Sequence, residues 1–351
     1  MIHAGRRFPP MSSLLPVIML LAVCFIYAGD PPPAVNEAHY LVKAKNFWQP
    51  QWCQNDLFAA SGKAHWLFYV VFGWPTQLVS LTTTAWIGRG VGWTLIACGW
   101  TTLGRTLELS DRTIVAAFLI WLAGIEYANL AGEWVVGGIE AKVPAYGLVL
   151  FGLSDLLRNR WRRVWIWFGA AAAFHVLTGG WSVVAAMIAY GIRYQPWRGG
   201  HPRPTFFSKE LFIGGSLSLV GLVPPLAMNW EATDSETNAA ARTYAYFRIS
   251  HHLTPAAFHL SWYLRHFGLV VLTAATVIVW RRQAKADHPL HRLVAFGLGA
   301  FAITTAGLIV GILPAIAPDF AAKLLRLYWF RLGDGMVPMI LALTLAVLAC
   351  E

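Results

Sequence analysis

The chain has 351 residues, of which 57% are hydrophobic and only 13% are charged. A soluble domain carries about a quarter charged residues, so this composition excludes an ordinary soluble protein and predicts one that spans a membrane. The net charge of +10 would suit nucleic-acid binding in a soluble protein. Here the basic residues gather between apolar stretches and no nucleic-acid motif is present. We therefore interpret the charge as a marker of membrane orientation and expect no nucleic-acid partner.

Apolar stretches separated by basic connections predict an all-α integral membrane protein with about 9–11 transmembrane helices. The predicted spans lie at residues 12–29, 84–104, 112–128, 140–157, 207–228, 260–280 and 290–313, with a tenth helix near the C-terminus. Together they form a single transmembrane domain over residues 1–351. Lys and Arg mark the cytoplasmic side, so Arg6 and Arg7 predict a cytoplasmic N-terminus. We prefer an uncleaved first helix to a signal peptide, because the later spans then keep the expected charge orientation.

Residues 164–194 carry basic clusters at both ends and are too long for one straight helix. A break at residues 178–180, Thr-Gly-Gly, predicts two short helices that form a hairpin dipping into the membrane. The last apolar stretch, residues 337–350, is short and has no basic anchor. That ending leaves open whether the sequence is a fragment of a longer chain.

Three loops are predicted on the outer face. They are residues 30–83, 229–258 and 317–335. In the first loop Asn36 is a suitable helix cap, Glu37 falls in the first turn and Ala38 begins an apolar face, which predicts an amphipathic helix lying on the membrane surface. The helix dipole favours an ionised Glu37, as a general base requires. The alternative is that Glu37 only improves the helix start.

Cationic side chains are predicted in the outer loops, against the usual charge rule for outer segments. They are Lys142, Arg242, Arg248, His251, His252, Lys323, Arg326 and Arg331. Gathered at one membrane face, they would bind an anionic ligand such as a lipid phosphate. The alternative is a set of ion pairs with Glu133, Glu140, Asp319 and Asp334. No permanent metal site is predicted, because no His or Cys pair has ligand spacing.

A first helix, an outer loop that opens on an acidic motif and later short helices around a Gly-Gly break form a familiar pattern. It resembles the C-type glycosyltransferase superfamily, multi-pass enzymes that take a sugar from a polyprenyl-phosphate carrier. Asn36-Glu37-Ala38-His39-Tyr40 is similar to the superfamily's Asp-Glu-x-x-Tyr form, with Asn in place of the first acid. Most of the chain also resembles a group of uncharacterised bacterial integral membrane proteins, through that segment, Asp56-Leu57-Phe58, His65-Trp66, residues 248–255 and Phe330-Arg331-Leu332.

The resemblance implies sugar transfer at the outer face of a bacterial plasma membrane. Glu37 would be the catalytic base, and Asp30 or Asp56 would position it or a transient divalent cation, with no resident cofactor. The donor would be bound by His39, Tyr40, His65, Lys142, Arg248, His251, His252 and Arg331. The expected partners are a polyprenyl-phosphate-linked sugar and membrane lipids.

Two other functions fit the same sequence: a transporter or flippase for a lipid-linked or anionic solute, and a non-catalytic relative that binds lipid-linked sugar. Transporters usually carry several ionisable residues at mid-membrane. The predicted spans hold only Arg89 and Glu126, with His175 in the hairpin. A closed cavity beneath residues 30–83 would favour the transferase, whereas a water-filled path to Arg89 and to residues 178–180 would favour transport.

Overall fold

The structure is a computed structural model and describes residues 14–194, 207–228, 230 and 232–350. Throughout these residues the chain forms helices joined by loops, and no β-strand occurs among them. The predicted all-α membrane fold is therefore confirmed. The prediction of a cytoplasmic N-terminus depends on Arg6 and Arg7, which lie outside the described residues. Most of the basic connection that ends at Lys209 also lies outside them.

The helices follow one another along the chain with short connections. They are α1 (Leu15–Ala28), α2 (Glu37–Trp48), α3 (Leu57–Ala60), α4 (Trp66–Gly73), α5 (Leu81–Thr106), α6 (Asp111–Ala128), α7 (Lys142–Leu157), α8 (Trp161–Phe174), α9 (Val176–Tyr194), α10 (Lys209–Ala227), α11 (Asp234–Arg242), α12 (Ser250–Leu253), α13 (Leu260–Gln283), α14 (Leu290–Val310), α15 (Pro318–Leu325) and α16 (Arg331–Leu348). A π-helix, Thr243–Arg248, continues α11. In the described part of the chain five helices are long and apolar enough to cross a membrane, namely α9, α10, α13, α14 and α16, and α1 is a shorter apolar helix.

Helix α7 lies at the centre of the bundle, where nearly all of its side chains are buried. It packs along α5 through two glycines of that helix, Gly92 and Gly99, and a Cβ at Gly99 would lie 2.7 Å from the Cβ of Leu150. Close approach of this kind holds helices together in lipid, where apolar side chains gain little by leaving the hydrocarbon. The packing fixes the first residue of α7, Lys142, at one end of the bundle.

Four connecting segments meet at that end, which we call the loop end. They are residues 29–80, 129–141, 232–259 and 311–330. The backbone N–H of Ile139 donates to Glu37 at 2.8 Å and joins the first two segments. Arg242 forms an ion pair with Asp319 and joins the last two. The three predicted outer loops therefore lie together on one side of the bundle.

Helices α8 and α9 form the predicted hairpin, but the break lies elsewhere. Trp161 at the start of α8 packs edge-on against Tyr190 near the end of α9, so the two helices run antiparallel. The break predicted at residues 178–180 is wrong, because the chain is extended at His175 and α9 runs unbroken through the glycines. Gly179 instead allows close packing, since a Cβ there would lie 2.1 Å from a backbone nitrogen of α8.

Two further details differ from the sequence prediction. The third outer loop, residues 317–335, is predicted to include Arg331 and Asp334, whereas both lie in the first turn of α16. The buried face of α2 begins at Glu37, and Ala38, which is predicted on the apolar face, is exposed. The physical reason for the second difference is that an arginine of α5 binds the Glu37 carboxylate inside the bundle.

Helix α10 touches the bundle through two glycines, which are its only buried residues in the described structure. A Cβ at Gly214 would lie 2.2 Å from the carbonyl oxygen of Trp165, and one at Gly221 would lie 2.0 Å from that of Ala172. Only 11% of the apolar span of α10 is buried. Most of the helix surface is therefore left for lipid, and its attachment depends on backbone contact with α8.

We expect Gly214→Ala to lower the melting temperature of the detergent-solubilised protein, because the added methyl group meets the α8 backbone. Overpacking of this kind costs about 1–3 kcal/mol. Gly215→Ala is the matched control, since nothing lies within 4 Å of a Cβ there and alanine favours a helix over glycine by about 1 kcal/mol. Equal melting temperatures for the two variants would contradict attachment through the glycine face.

Candidate functional site

A cavity of about 500 Å³ opens at the loop end. All four loop-end segments contribute to its wall, through residues that include Tyr40, Glu133, Arg248 and Tyr328. Side chains of α2 and of the start of α4 form one side, and the first residues of α7 and α16 form part of the other. Pockets for small ligands fall in this size range, so the cavity is the candidate site.

Seven of the eight residues predicted to bind a donor line this cavity. They are His39, Tyr40, His65, Lys142, Arg248, His252 and Arg331. The eighth, His251, packs its ring 4.2 Å from that of His252 and does not line the wall. The predicted catalytic carboxylates Glu37, Asp30 and Asp56 also lie outside the wall. The cavity thus collects most of the predicted binding residues and none of the predicted catalytic ones.

Arg331, the first residue of α16, is held in place by three side chains. Its Nε donates to Glu133 Oε2 at 2.7 Å, and its Nη1 donates to His175 Nε2 at 2.9 Å. The guanidinium also lies 4.2 Å from the ring centroid of Tyr328. On its other side, Nδ1 of His175 accepts from the backbone N–H of Thr178 at 3.2 Å and lies 3.0 Å from the Thr178 Oγ1. The hairpin break thus orients the arginine before any ligand binds.

Lys142 shares the same carboxylate. Its Nζ lies 3.3 Å from Glu133 Oε1 and 3.8 Å from the ring centroid of Trp134. Glu133 therefore forms ion pairs with the cations, as the alternative interpretation of the sequence predicts. Its single carboxylate faces two cations, however, and cannot neutralise both. The lysines and arginines of the cavity wall are Lys43, Lys142, Arg248 and Arg331, and its carboxylates are Glu133 and Glu140. Four cations against two carboxylates give the cavity a positive excess.

Glu37 occupies the position of a structural ion pair rather than that of a general base. It and Arg89 are both 0% exposed, and Arg89 donates to its carboxylate from Nε at 2.9 Å and from Nη2 at 2.6 Å. The backbone N–H groups of Ala34 and Ile139 donate to the same carboxylate at 3.0 and 2.8 Å. Burial raises the pKa of Glu37, but these donors outweigh it and hold the pKa below its ordinary value. All four lone-pair positions are occupied, so the geometry does not support Glu37 as the catalytic base.

Asp30 and Asp56 have local structural contacts. Oδ1 of Asp56 accepts from the backbone N–H of Ala59 at 2.8 Å and caps α3. Asp30 contributes its backbone carbonyl, which accepts from Arg89 Nη1 at 2.5 Å. Their predicted role beside the reacting centre is therefore not supported by position. Among the residues that the structure describes, no group of three or more His, Cys, Asp or Glu side chains could hold a metal ion, and a transient cation remains a hypothesis.

His65 presents a neutral ring to the cavity. It stacks on His175 with the ring centroids 5.3 Å apart and the planes 15° apart, and its Nε2 lies 3.4 Å from the Tyr40 hydroxyl. Burial, followed by the charge of Arg331, lowers the pKa of His65 to about 4. The ring is uncharged at neutral pH and suits a ligand hydroxyl, but it adds no positive charge.

The third loop-end segment brings Arg248 and His252 to the cavity. Nδ1 of His252 donates to the carbonyl of Ala131, and burial lowers the pKa of this histidine. Across the cavity, burial and the nearby cations Lys63 and Arg248 lower the pKa of Lys43. A lysine whose pKa is lowered partly by neighbouring cations favours an anionic ligand, because the anion would relieve that repulsion.

Three charged wall residues were not predicted as site residues, Lys43, Glu133 and Glu140. The spacing of Asn36, Tyr40 and Lys43 along α2 could have identified the lysine, since residues three and four apart share a helix face. Glu140 is predicted only as an ion-pair partner. It is 3% exposed, the Asn36 side chain hydrogen-bonds to it, and its Oε1 accepts no hydrogen bond from the described residues. Burial raises the pKa of Glu140.

Comparisons with known proteins returned no match among protein-family models, curated proteins or solved structures. The relationship to the C-type glycosyltransferases therefore remains a prediction based on short motifs, and the chemistry of the cavity is the ground for a functional proposal.

Proposed function

We propose that the protein is an integral-membrane glycosyltransferase that moves a sugar from a polyprenyl-phosphate donor to an acceptor at the outer face of a bacterial plasma membrane. In this proposal the loop end faces outward and the N-terminus lies in the cytoplasm. The observation that carries it is the cavity of about 500 Å³ with a positive excess on its wall. One part of that wall suits the lipid phosphate of the donor, and another part suits its sugar.

The cations match the phosphate of the donor. Arg331 lines the cavity, and its Nη2 donates to none of the described residues while Nε and Nη1 are held by Glu133 and His175. Lys142 adds a second charge beside it. As the sugar leaves, negative charge grows on the phosphate, and donors already oriented toward it stabilise that charge without reorganisation.

The rest of the wall matches a sugar ring. It contains aromatic side chains, several of which also carry a hydrogen-bonding group, namely Tyr40, His65, Tyr69, Trp134 and Tyr328. Sugars carry hydroxyls at their edges and C–H groups on their faces. A wall that combines apolar area with a few placed polar groups fits that pattern.

The membrane supplies the route for the donor. Met228, just after the end of α10, lines the cavity. Helix α10 itself is mostly exposed, with large apolar side chains such as Phe212 and Val223 on its surface. A polyprenyl tail lying along this helix would hold its phosphate at the cavity mouth, so no nucleotide carrier is needed.

The transporter alternative receives less support from the same geometry. The Arg89 side chain is fully buried in its pair with Glu37, and Thr178 and Gly179 are buried as well. None of the four residues lines the described cavity. A path through the bilayer would need these positions to be open to water.

We expect the protein in lipid nanodiscs to bind a polyprenyl-phosphate-linked hexose or pentose saturably and to release polyprenyl phosphate when an acceptor glycolipid is added. Binding should be competed by polyprenyl phosphate, because the cations recognise the phosphate. Neutral polyprenol, which has the same tail and no phosphate, is the control. The measurements are donor binding by scintillation proximity and product formation by chromatography.

Three results would separate the alternatives. Saturable binding with transfer supports the glycosyltransferase. Binding with no transfer to any acceptor glycolipid supports the non-catalytic relative and contradicts the proposed enzyme. Equal competition by polyprenyl phosphate and by neutral polyprenol would contradict a phosphate site in the cavity.

A further inference from the structure

We propose that Glu140, in the connection between α6 and α7, is the proton acceptor of this site. The assignment rests on the proposed glycosyl transfer and replaces the predicted role of Glu37. Glu140 lines the cavity, is 3% exposed, and has an Oε1 that accepts no hydrogen bond from the described residues. Because Glu140 lines the cavity and one of its two oxygens is unpaired, its carboxylate has a lone pair left for a substrate proton.

The other cavity carboxylate is less suited to this task. Glu133 Oε2 accepts from Arg331 at 2.7 Å, and its Oε1 lies 3.3 Å from Lys142 Nζ. Both of its oxygens are therefore already in contact with a cation. Glu140 instead receives a hydrogen bond from the neutral side chain of Asn36. An Asn at position 36, where the family motif has an acid, therefore gains a role: it orients the base without competing for its proton.

Several charged and titratable groups around Glu140 influence its ionisation. Lys142 and Arg331 face it and favour its ionised form, whereas Glu133 and burial favour the neutral form. Tyr40 of α2 also lies within its field. Burial is the largest of these influences and raises the pKa of Glu140. A raised pKa strengthens a carboxylate as a base, because catalysis improves as the pKa approaches the working pH.

Glu37 acts on Glu140 through the backbone. The N–H of Ile139, the residue before Glu140, donates to Glu37 Oε1 at 2.8 Å. A Cβ at Gly138 would lie 3.0 Å from the Ala34 carbonyl oxygen, so the two segments touch there. Glu37 is therefore a positioning residue, which fixes the segment that carries the proton acceptor.

The proposed step needs no further reactant. The acceptor O–H bond breaks and its proton moves to the Glu140 carboxylate. The acceptor oxygen forms a bond to the anomeric carbon, and the bond from that carbon to the donor phosphate breaks. The electron pair stays on the phosphate, which remains on the polyprenyl carrier beside Arg331 and Lys142. Glu140 then returns the proton to water after the products leave.

The test is Glu140→Gln, which keeps the shape of the side chain and an oxygen for the Asn36 hydrogen bond. We expect kcat to fall by about 100-fold or more, the usual contribution of a general base, with donor binding within about twofold of wild type. Asp234→Asn, an exposed carboxylate on α11, is the control and should leave kcat unchanged. Donor binding measured on the same preparation reports whether the variant is folded.

The pH profile gives a second readout. Wild-type kcat should rise with pH through a pKa above the ordinary carboxyl value, and Glu140→Asp should keep a rise with a shifted midpoint. If Glu140→Gln fails to fold, the Asp variant still decides, because an unshifted profile would overturn the assignment. Wild-type kcat and an unchanged profile in Glu140→Gln would overturn it while sparing the proposed function. Absence of transfer by the wild-type protein would overturn both.

Discussion

Arg89→Met is expected to destabilise the protein by about 3–5 kcal/mol, because it leaves the Glu37 carboxylate buried with no opposite charge. Both side chains are 0% exposed, so water cannot replace the lost partner. The variant also removes the donor to the Asp30 carbonyl. The measurement is the free energy of unfolding in a titration with denaturing detergent. Arg112→Met, which removes an exposed arginine at the start of α6, is the control and should change stability little.

The double variant Glu37→Gln/Arg89→Met tests what the pair does. Removing both charges eliminates the unpaired carboxylate, and we expect it to recover much of the stability lost in Arg89→Met. A glutamine at position 37 still has an oxygen for the Ile139 N–H. If Glu37 only positions the neighbouring segment, the folded double variant retains sugar transfer. Loss of transfer in a double variant as stable as wild type would mean that Glu37 itself takes part in the chemistry.

Arg331→Met is expected to weaken donor binding by about 10–100-fold, since hydrogen bonds to a charged group are worth about 1.5–3 kcal/mol. The change also leaves Glu133 with Lys142 as its one remaining cation in the described structure, so the positive excess of the wall falls. The measurement is the Kd for the polyprenyl-phosphate donor in nanodiscs at fixed salt. Salt must be held constant because it screens charge interactions.

Lys323→Met is the matched control for that experiment. Lys323 is an exposed cation on α15, at the loop end, and does not line the cavity. The Lys323→Met substitution removes one positive charge from the loop end, as Arg331→Met does. A similar loss of affinity in both variants would show that general surface charge attracts the donor, and would contradict a specific phosphate contact at Arg331.

The helices follow from features that are local in the sequence. An apolar run that begins at the basic residue Arg112 predicts a span at residues 112–128, and α6 is Asp111–Ala128. The start of α2 at Glu37 was likewise predicted from Asn36 and the prolines before it, although the Asn36 side chain forms no capping hydrogen bond. The cations of the cavity wall could be picked out one by one, because a cation such as Arg248 is unusual in a loop that is predicted to lie outside.

The catalytic assignment depends on contacts that the sequence does not display. Glu37 is visible as a helix start, but its partner Arg89 lies 52 residues further along the chain. Glu140 gains its character from burial in a wall that four segments build together. The hairpin break was misplaced for a similar reason, since Gly179 serves the packing of α9 on α8 rather than a turn.

The ion pair of Glu37 and Arg89 also constrains how related chains could diverge. A substitution at either position alone strands a charge in the interior, so the two positions are expected to change together across relatives. Replacement of both by apolar side chains of similar volume is the tolerated route, because well-packed apolar residues often match a buried pair in stability. Correlated change at two sites 52 residues apart would then identify relatives in which the short acidic motif is no longer recognisable.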